Sequence, residues 1–180
     1  FVVVFDGSGI NADNDELLKS YIRFIRVDLF ALNDLLGKAR AVGGQGLTTN
    51  YLDSATLDVL DGSYYGLEAA QTEFEPKYKN TIKNGTEEAS STQQSLASIL
   101  EGVTFLQAYV DEQVMNASSF EISWKQYFER VTQEVAHHYV LADKVRLFAA
   151  ARIEEKKNAA DLRMMQIIIV IALVLLITAY

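Results

Sequence analysis

From residue 124 to residue 180 the chain reads WKQYFERVTQEVAHHYVLADKVRLFAAARIEEKKNAADLRMMQIIIVIALVLLITAY, and the reading of this stretch decides the fold. It holds neither glycine nor proline. Trp124, Phe128, Val131, Val135, His138, Ala142, Val145 and Ala149 recur at alternating spacings of four and three, the seam of a heptad pattern. Such a seam, sustained over several turns, calls for partner helices. Past Met164 the character changes, because Ile167 through Ile177 carries no polar side chain. A bilayer core about 30 Å thick takes roughly 20 apolar residues at 1.5 Å of rise each, with about 17 as the short limit. The run therefore predicts a transmembrane helix over 164–180, with Tyr180 at headgroup level. Its shortness leads us to expect that the chain continues past Tyr180. The start at Phe1, without an initiator methionine or a basic flank, reads equally as the edge of a fragment.

Toward the N-terminus the same helical grammar holds, since the chain has one proline and is rich in Leu, Ala, Glu, Gln and Lys. Residues 1–14 form an incomplete opening segment, in which Asp13, or Asp15 just after it, can cap the first helix. From Asp15 to about Val42 the residues Leu18, Ile22, Ile25, Leu29, Leu32, Leu35 and Leu36 mark one amphipathic helix. Gly43-Gly44-Gln45-Gly46 should interrupt it. Thr48 or Thr49 then begins a second helix that runs to Lys83, with Pro76 expected to kink or divide it. Asn84-Gly85 stops this segment, and either Thr86 or Ser90-Ser91-Thr92 opens a third helix through Leu96, Ile99, Leu100, Val103, Leu106 and Val110. Asn116-Ala-Ser-Ser119 marks the last break. The expectation is an all-α protein: an up-down bundle of about four helices over 15–163, its last member continuing into the transmembrane helix.

Sixteen Lys and Arg against 24 Asp and Glu give a net charge of −8, which repels phosphate backbones and makes nucleic acid an unsuitable partner. The absence of cysteine removes disulfides, thiolate chemistry and cysteine-bound metals. His137 and His138 are the only histidines, and adjacent helical positions point about 100° apart, so they do not form a metal-binding pair. His138 falls on the heptad seam and reads as a hydrogen-bonded core histidine. No Ser/His/Asp triad or dinuclear carboxylate site assembles from the spacing, so no catalytic residue, metal or cofactor is assigned and the chain is not read as an enzyme. Lys38 and Arg40 lie near the end of the first helix, where cations suit the helix dipole. Arg40 beside Gly43 is also the candidate for binding a small anionic ligand, because a guanidinium donates several hydrogen bonds and glycine lets backbone approach.

The segment Leu29-Phe-Ala-Leu-Asn-Asp-Leu-Leu-Gly-Lys-Ala-Arg-Ala-Val-Gly43 resembles a pattern of bacterial sensory ectodomains, roughly Leu-Pro-x-Leu-x-Glu-x-Leu-Gly-x-x-Arg-Gly-x-Gly. Leu29, Leu32, Leu36, Gly37, Arg40 and Gly43 match it, while Phe30 stands for its proline and Ala41 for a glycine. Asp13-Asn-Asp15 with Tyr21 resembles the start of the preceding helix in such proteins. Tyr127-Phe128, Thr132, Leu141, Leu147 and Arg152-Ile153 resemble their final helix. These ectodomains belong to transmembrane receptors that include methyl-accepting chemotaxis proteins and membrane diguanylate cyclases or kinases. The resemblance implies a periplasmic sensor in the inner membrane whose first span and output module lie outside the chain. It also implies ligand binding near Arg40, with nitrate or nitrite as the ligand of some relatives, and signal relay through the last helix. Homodimerisation through the long helices is a further expectation. The alternative from another class is a tail-anchored tethering or structural protein. The cations Arg152, Lys156, Lys157 and Arg163, just before the apolar run, bear on orientation, because positive charge usually flanks the cytoplasmic side.

Overall fold

The computed structural model describes residues 15–83 and 86–179, with side chains as far as Val174. The expectations for residues 1–14 lie outside the described residues.

A spacing of five shapes the first helix. Its buried residues are Leu18, Tyr21 and Phe24, then Leu29, Leu32, Leu36 and Ala39. An α-helix returns to one face every three or four residues, so the step from Phe24 to Leu29 holds one residue too many. The helix absorbs it as a π-helical turn: α1 consists of Glu16–Arg23, the wide turn Phe24–Leu29 and Phe30–Thr49, one after the other. This corrects the expected face. Tyr21 and Phe24 fill the core, and Ile22 and Ile25 are displaced to its partly buried flank.

The glycine run does not interrupt α1. The helix passes through Gly43-Gly44-Gln45-Gly46 and ends at Asn50, whose φ of 53° is the left-handed stop. Gly43, Gly44 and Gly46 are buried inside the helix, and a β-carbon on Gly46 would meet the Leu52 side chain. Tight packing explains Gly43 and Gly46 better than a turn does, whereas a β-carbon on Gly44 would meet nothing. The second helix, α2 (Ser54–Thr81), is started by Asp53, whose carboxylate accepts from the Thr56 amide at 2.7 Å, in place of Thr48 or Thr49. It runs through Pro76 undivided. Thr86 caps α3 (Glu87–Val110) as expected, its hydroxyl accepting from the Ala89 amide at 3.2 Å. A second π-helical turn, Asp111–Met115, prolongs α3.

The last helix, α4 (Trp124–Ala179), begins five residues later than the break suggested. Ser123 and Gln126 explain the start: the Ser123 amide donates to Gln126 Oε1 at 2.9 Å, and the Gln126 amide donates to Ser123 Oγ at 3.3 Å, a capping box. The Asp15 carboxylate opens α1 in a related way, accepting from the Leu18 amide at 3.0 Å.

Paired contacts fix the topology. Asp15 meets Arg152 and Ala39 meets Tyr127, so α1 and α4 run antiparallel. Phe24 packs on Phe74, and Gly46 on Leu52; Tyr78 bonds Thr92 and Gln107 reaches Tyr64. Tyr109 stacks on Tyr127 and Lys144 reaches Ser95. Each neighbouring pair is antiparallel, and the helices follow one another around the bundle, with α4 closing back on α1. All described regular structure is helical.

Along α4 the buried face is Tyr127, Val131, Val135, His138, Leu141, Val145 and Ala149. The expected seam holds at Val131, Val135, His138, Val145 and Ala149, but Leu141 takes the buried place expected for Ala142, which is only partly buried. At its start it is corrected, because Trp124 and Phe128 are 49% and 39% exposed and Tyr127 takes the inward place. Beyond the bundle, Met164, Met165, Ile167–Ile171, Leu173 and Val174 are all more than half exposed on the same helix. No helix among the described residues is long and apolar enough to cross a membrane; the apolar run of the sequence goes on to residue 180, past the last described side chain.

Candidate functional site

The two residues singled out by sequence, Arg40 and Gly43, both lie on the side of α1 that faces α4. One turn apart, they address different levels of the interface. The Arg40 guanidinium lies over the Phe128 ring, 4.6 Å from its centroid, and donates to the Thr132 hydroxyl at 3.2 Å. Thr132 itself donates to the Phe128 carbonyl at 2.7 Å. A half-buried guanidinium held by a ring face and one neutral oxygen has donors left for an anion.

Gly43 is buried against Tyr127. A β-carbon there would overlap the phenol, whose hydroxyl donates to the Ala39 carbonyl at 2.8 Å. The glycine thus makes room for the one tyrosine of α4 that is fully buried. Burial holds the Tyr127 hydroxyl above its ordinary pKa, with the neighbouring Tyr109 adding to the effect. Tyr109 stacks on Tyr127 at 5.8 Å with 10° between the planes, and Phe105 stacks on Tyr109 at 5.4 Å. Arg130 closes this aromatic column, 4.0 Å over Phe105.

Below the column the interface between α3 and α4 is polar. Arg130 pairs with the buried Glu134 at 2.8 Å, and His137 Nε2 lies 3.8 Å from the other Glu134 oxygen. Gly102 gives that carboxylate its space, since a β-carbon would stand 2.6 Å from Oε2. This arrangement escaped the sequence reading, although Arg130 and Glu134 stand four apart, the spacing of a helical ion pair.

His138 occupies the core, as expected, but without the expected hydrogen bond at Nδ1. It is 1% exposed, and burial, aided by the nearby His137, pushes its pKa down to about 4. On α1, Asn33 Oδ1 is also buried without a partner. Asn33 is seven residues, two turns, before Arg40 and so shares its face toward α4.

At the end of the bundle nearest the apolar run, Asp15 ties α1 to α4. Arg152 Nε donates to its Oδ2 at 2.8 Å, and Lys156 Nζ stands 3.9 Å away. The Leu18 amide, with Arg152 and Lys156 behind it, holds the Asp15 carboxyl below the ordinary carboxylate range. No three His, Asp or Glu side chains among the described residues are grouped to hold a metal ion.

No family model matches the chain, and neither the curated proteins nor the solved structures contain a significant match.

Proposed function

We propose that this chain is the extracytoplasmic ligand-sensing region of a bacterial transmembrane receptor, in which a displacement of α4 carries a binding event across the inner membrane. The observation that supports this reading is the continuity of α4. One helix, Trp124–Ala179, has Val131, His138 and Val145 in the bundle core and further along leaves Met164, Met165, Ile167–Ile171, Leu173 and Val174 more than half exposed. An apolar helix surface of that kind is stable in hydrocarbon and costly in water. A rigid helix shared between core and bilayer transmits shifts of about 1–2 Å, a known amplitude of helix switching. Arg40, with guanidinium donors to spare between α1 and α4, is the contact proposed for a small anionic ligand.

A second reading is favoured by the four cations Arg152, Lys156, Lys157 and Arg163 ahead of the apolar run, a flank that usually faces the cytoplasm. In that reading the bundle is a tail-anchored tether inside the cell. One experiment separates the two. The chain has no cysteine, so Ser118→Cys, in the exposed loop before α4, gives a single thiol for a membrane-impermeant maleimide. The receptor reading expects labelling of cells whose outer membrane alone is opened. Labelling only after lysis of the inner membrane would overturn it in favour of the tether.

A further inference from the structure

The first half of α1 carries two apolar registers, and the structure uses the less regular one. Leu18, Tyr21 and Phe24 face the core, with the π-helical turn Phe24–Leu29 absorbing the extra residue before Leu29. A regular helix drawn back from Leu29 would bring Ile25, Ile22 and Leu18 inward at spacings of four, three and four. These two isoleucines already pack partly buried at the edge of the core. Both registers share Leu18 and everything from Leu29 onward. They differ in exchanging two aromatic side chains for two isoleucines, and in the presence of the wide turn.

We infer that α1 alternates between these registers, and that loss of the wide turn rotates the segment from Asp15 to Phe24 by about 100°, one residue of helix, against the rest of the bundle. The opposing contributions are of one kind. The observed register gains Phe24 stacked on Phe74 at 5.4 Å and near Tyr78 at 6.2 Å, and Tyr21 near Phe148 at 6.0 Å. The alternate register buries the two isoleucines and regains uninterrupted α-helical hydrogen bonding. π-Helical turns inside α-helices are rare and are frequently found at functional sites.

The rotation has an outlet. Asp15, at the start of the turning segment, is bonded to Arg152 on α4, twelve residues before Met164. Turning the segment swings Asp15 away from Arg152 and Lys156 and releases α1 from α4 at the end of the bundle nearest the apolar run. This alternation belongs to the bundle itself and holds whichever side of a membrane the bundle occupies.

Disulfide trapping reads the register directly, because every thiol in the chain is an introduced one. Phe24→Cys with Phe74→Cys reports the observed register, Ile25→Cys with Phe74→Cys the alternate one, and Arg26→Cys with Phe74→Cys is the background, since Arg26 is exposed in the observed register. Under mild oxidation of the whole chain, the Ile25 pair should crosslink at least tenfold faster than the Arg26 pair. Deleting the exposed Val27 removes the extra residue while keeping Phe24 inward, and should cut the Ile25 crosslink about tenfold while sparing the Phe24 crosslink. An Ile25 rate no higher than background, or one unchanged by the deletion, overturns the inference. Should the deletion variant fail to fold, Ile22→Asn, which burdens the alternate register more than the observed one, takes its place and should likewise cut the Ile25 crosslink while sparing the Phe24 crosslink, an unchanged Ile25 rate overturning the inference.

Discussion

Two stretches of α4 share one unbroken backbone and place opposite demands on their surroundings. From Tyr127 to Ala149 the helix hides one face, and that face includes a histidine and a glutamate along with its valines and leucine. From Met164 to Val174 it hides no face, and nearly every side chain is apolar. The first stretch is specified by partners within the chain, through a heptad seam and polar contacts that fit only one neighbour. The second is specified by a solvent, because an apolar surface on all sides asks for no particular orientation. With the second stretch in lipid, as proposed, such a helix would hold its position in the bundle and be free to slide or turn beyond it, which is the mechanical property the proposed relay needs.

The strongest way to break this comparison is to place the same charge in each stretch. Val145 is fully buried, and Val145→Asp puts an unpaired carboxylate in the core, where the cost is about 4 kcal/mol or more. Urea unfolding followed by circular dichroism should show the bundle largely lost. Ile169→Asp, in the exposed apolar run, should leave the urea midpoint of the bundle unchanged and instead release the protein from membranes under alkaline washing, since an aspartate near the centre of a spanning helix costs about 3 kcal/mol of insertion. A shared loss of folding would mean that the apolar run is held by the bundle and not by lipid.

The seam can be sharpened next through its buried histidine. With a folded pKa of about 4 against an ordinary 6.5, His138 takes up its proton more readily in the unfolded chain. Its contribution to stability is therefore intact above pH 6.5 and is lost as pH falls from 6.5 toward 4, by on the order of 3 kcal/mol in all. Asp15, whose carboxyl is held below its ordinary value, weakens the fold in the same direction but only below about pH 4, so the two windows separate. Urea midpoints across pH 7.5 to 4.5 should decline in the natural chain and stay nearly flat in His138→Leu. An equal decline in both would assign the pH dependence to other groups.

How much of this was legible in the sequence depends on what kind of contact defined each feature. The four helices, the caps at Asp15 and Thr86 and the core place of His138 follow from local chemistry and from periodicity, and both are written in consecutive residues. The register of α1 was misread because Ile22 and Ile25 satisfy the heptad better than Tyr21 and Phe24 do. The choice between them is made by Phe74, Tyr78 and Phe148 on other helices. The glycines at 43 and 46 read as a break for a related reason: a residue that weakens an isolated helix is tolerated where a neighbour needs the space, and Tyr127 and Leu52 are distant in sequence. Asp53 and the Ser123–Gln126 box were visible as patterns and were passed over in favour of nearer turn formers. At the candidate site, the sequence reading put Arg40 beside Gly43 but left the glycine in a break after the helix, and gave no sign that a phenol from α4 would sit on it.

That phenol supplies the smallest and most local test of the seam. Tyr127 fills the space over Gly43 with its ring and spends its hydroxyl on the Ala39 carbonyl, 2.8 Å away. Tyr127→Phe keeps the ring, the stacking on Tyr109 and the fit to the glycine, and removes only the hydrogen bond. The Ala39 carbonyl lies in the interior of α1, where helix bonding also engages it, so no acceptor is stranded and the loss should be about 1 kcal/mol. Because burial holds the hydroxyl above its ordinary pKa, the deficit should not vary with pH below 9. Matched urea titrations at pH 6 and pH 8.5 measure both quantities. A loss near zero would show that the close approach of α4 to α1 is set by Gly43 and the ring alone, whereas a loss several times larger would make the hydroxyl the contact that holds the two helices in register.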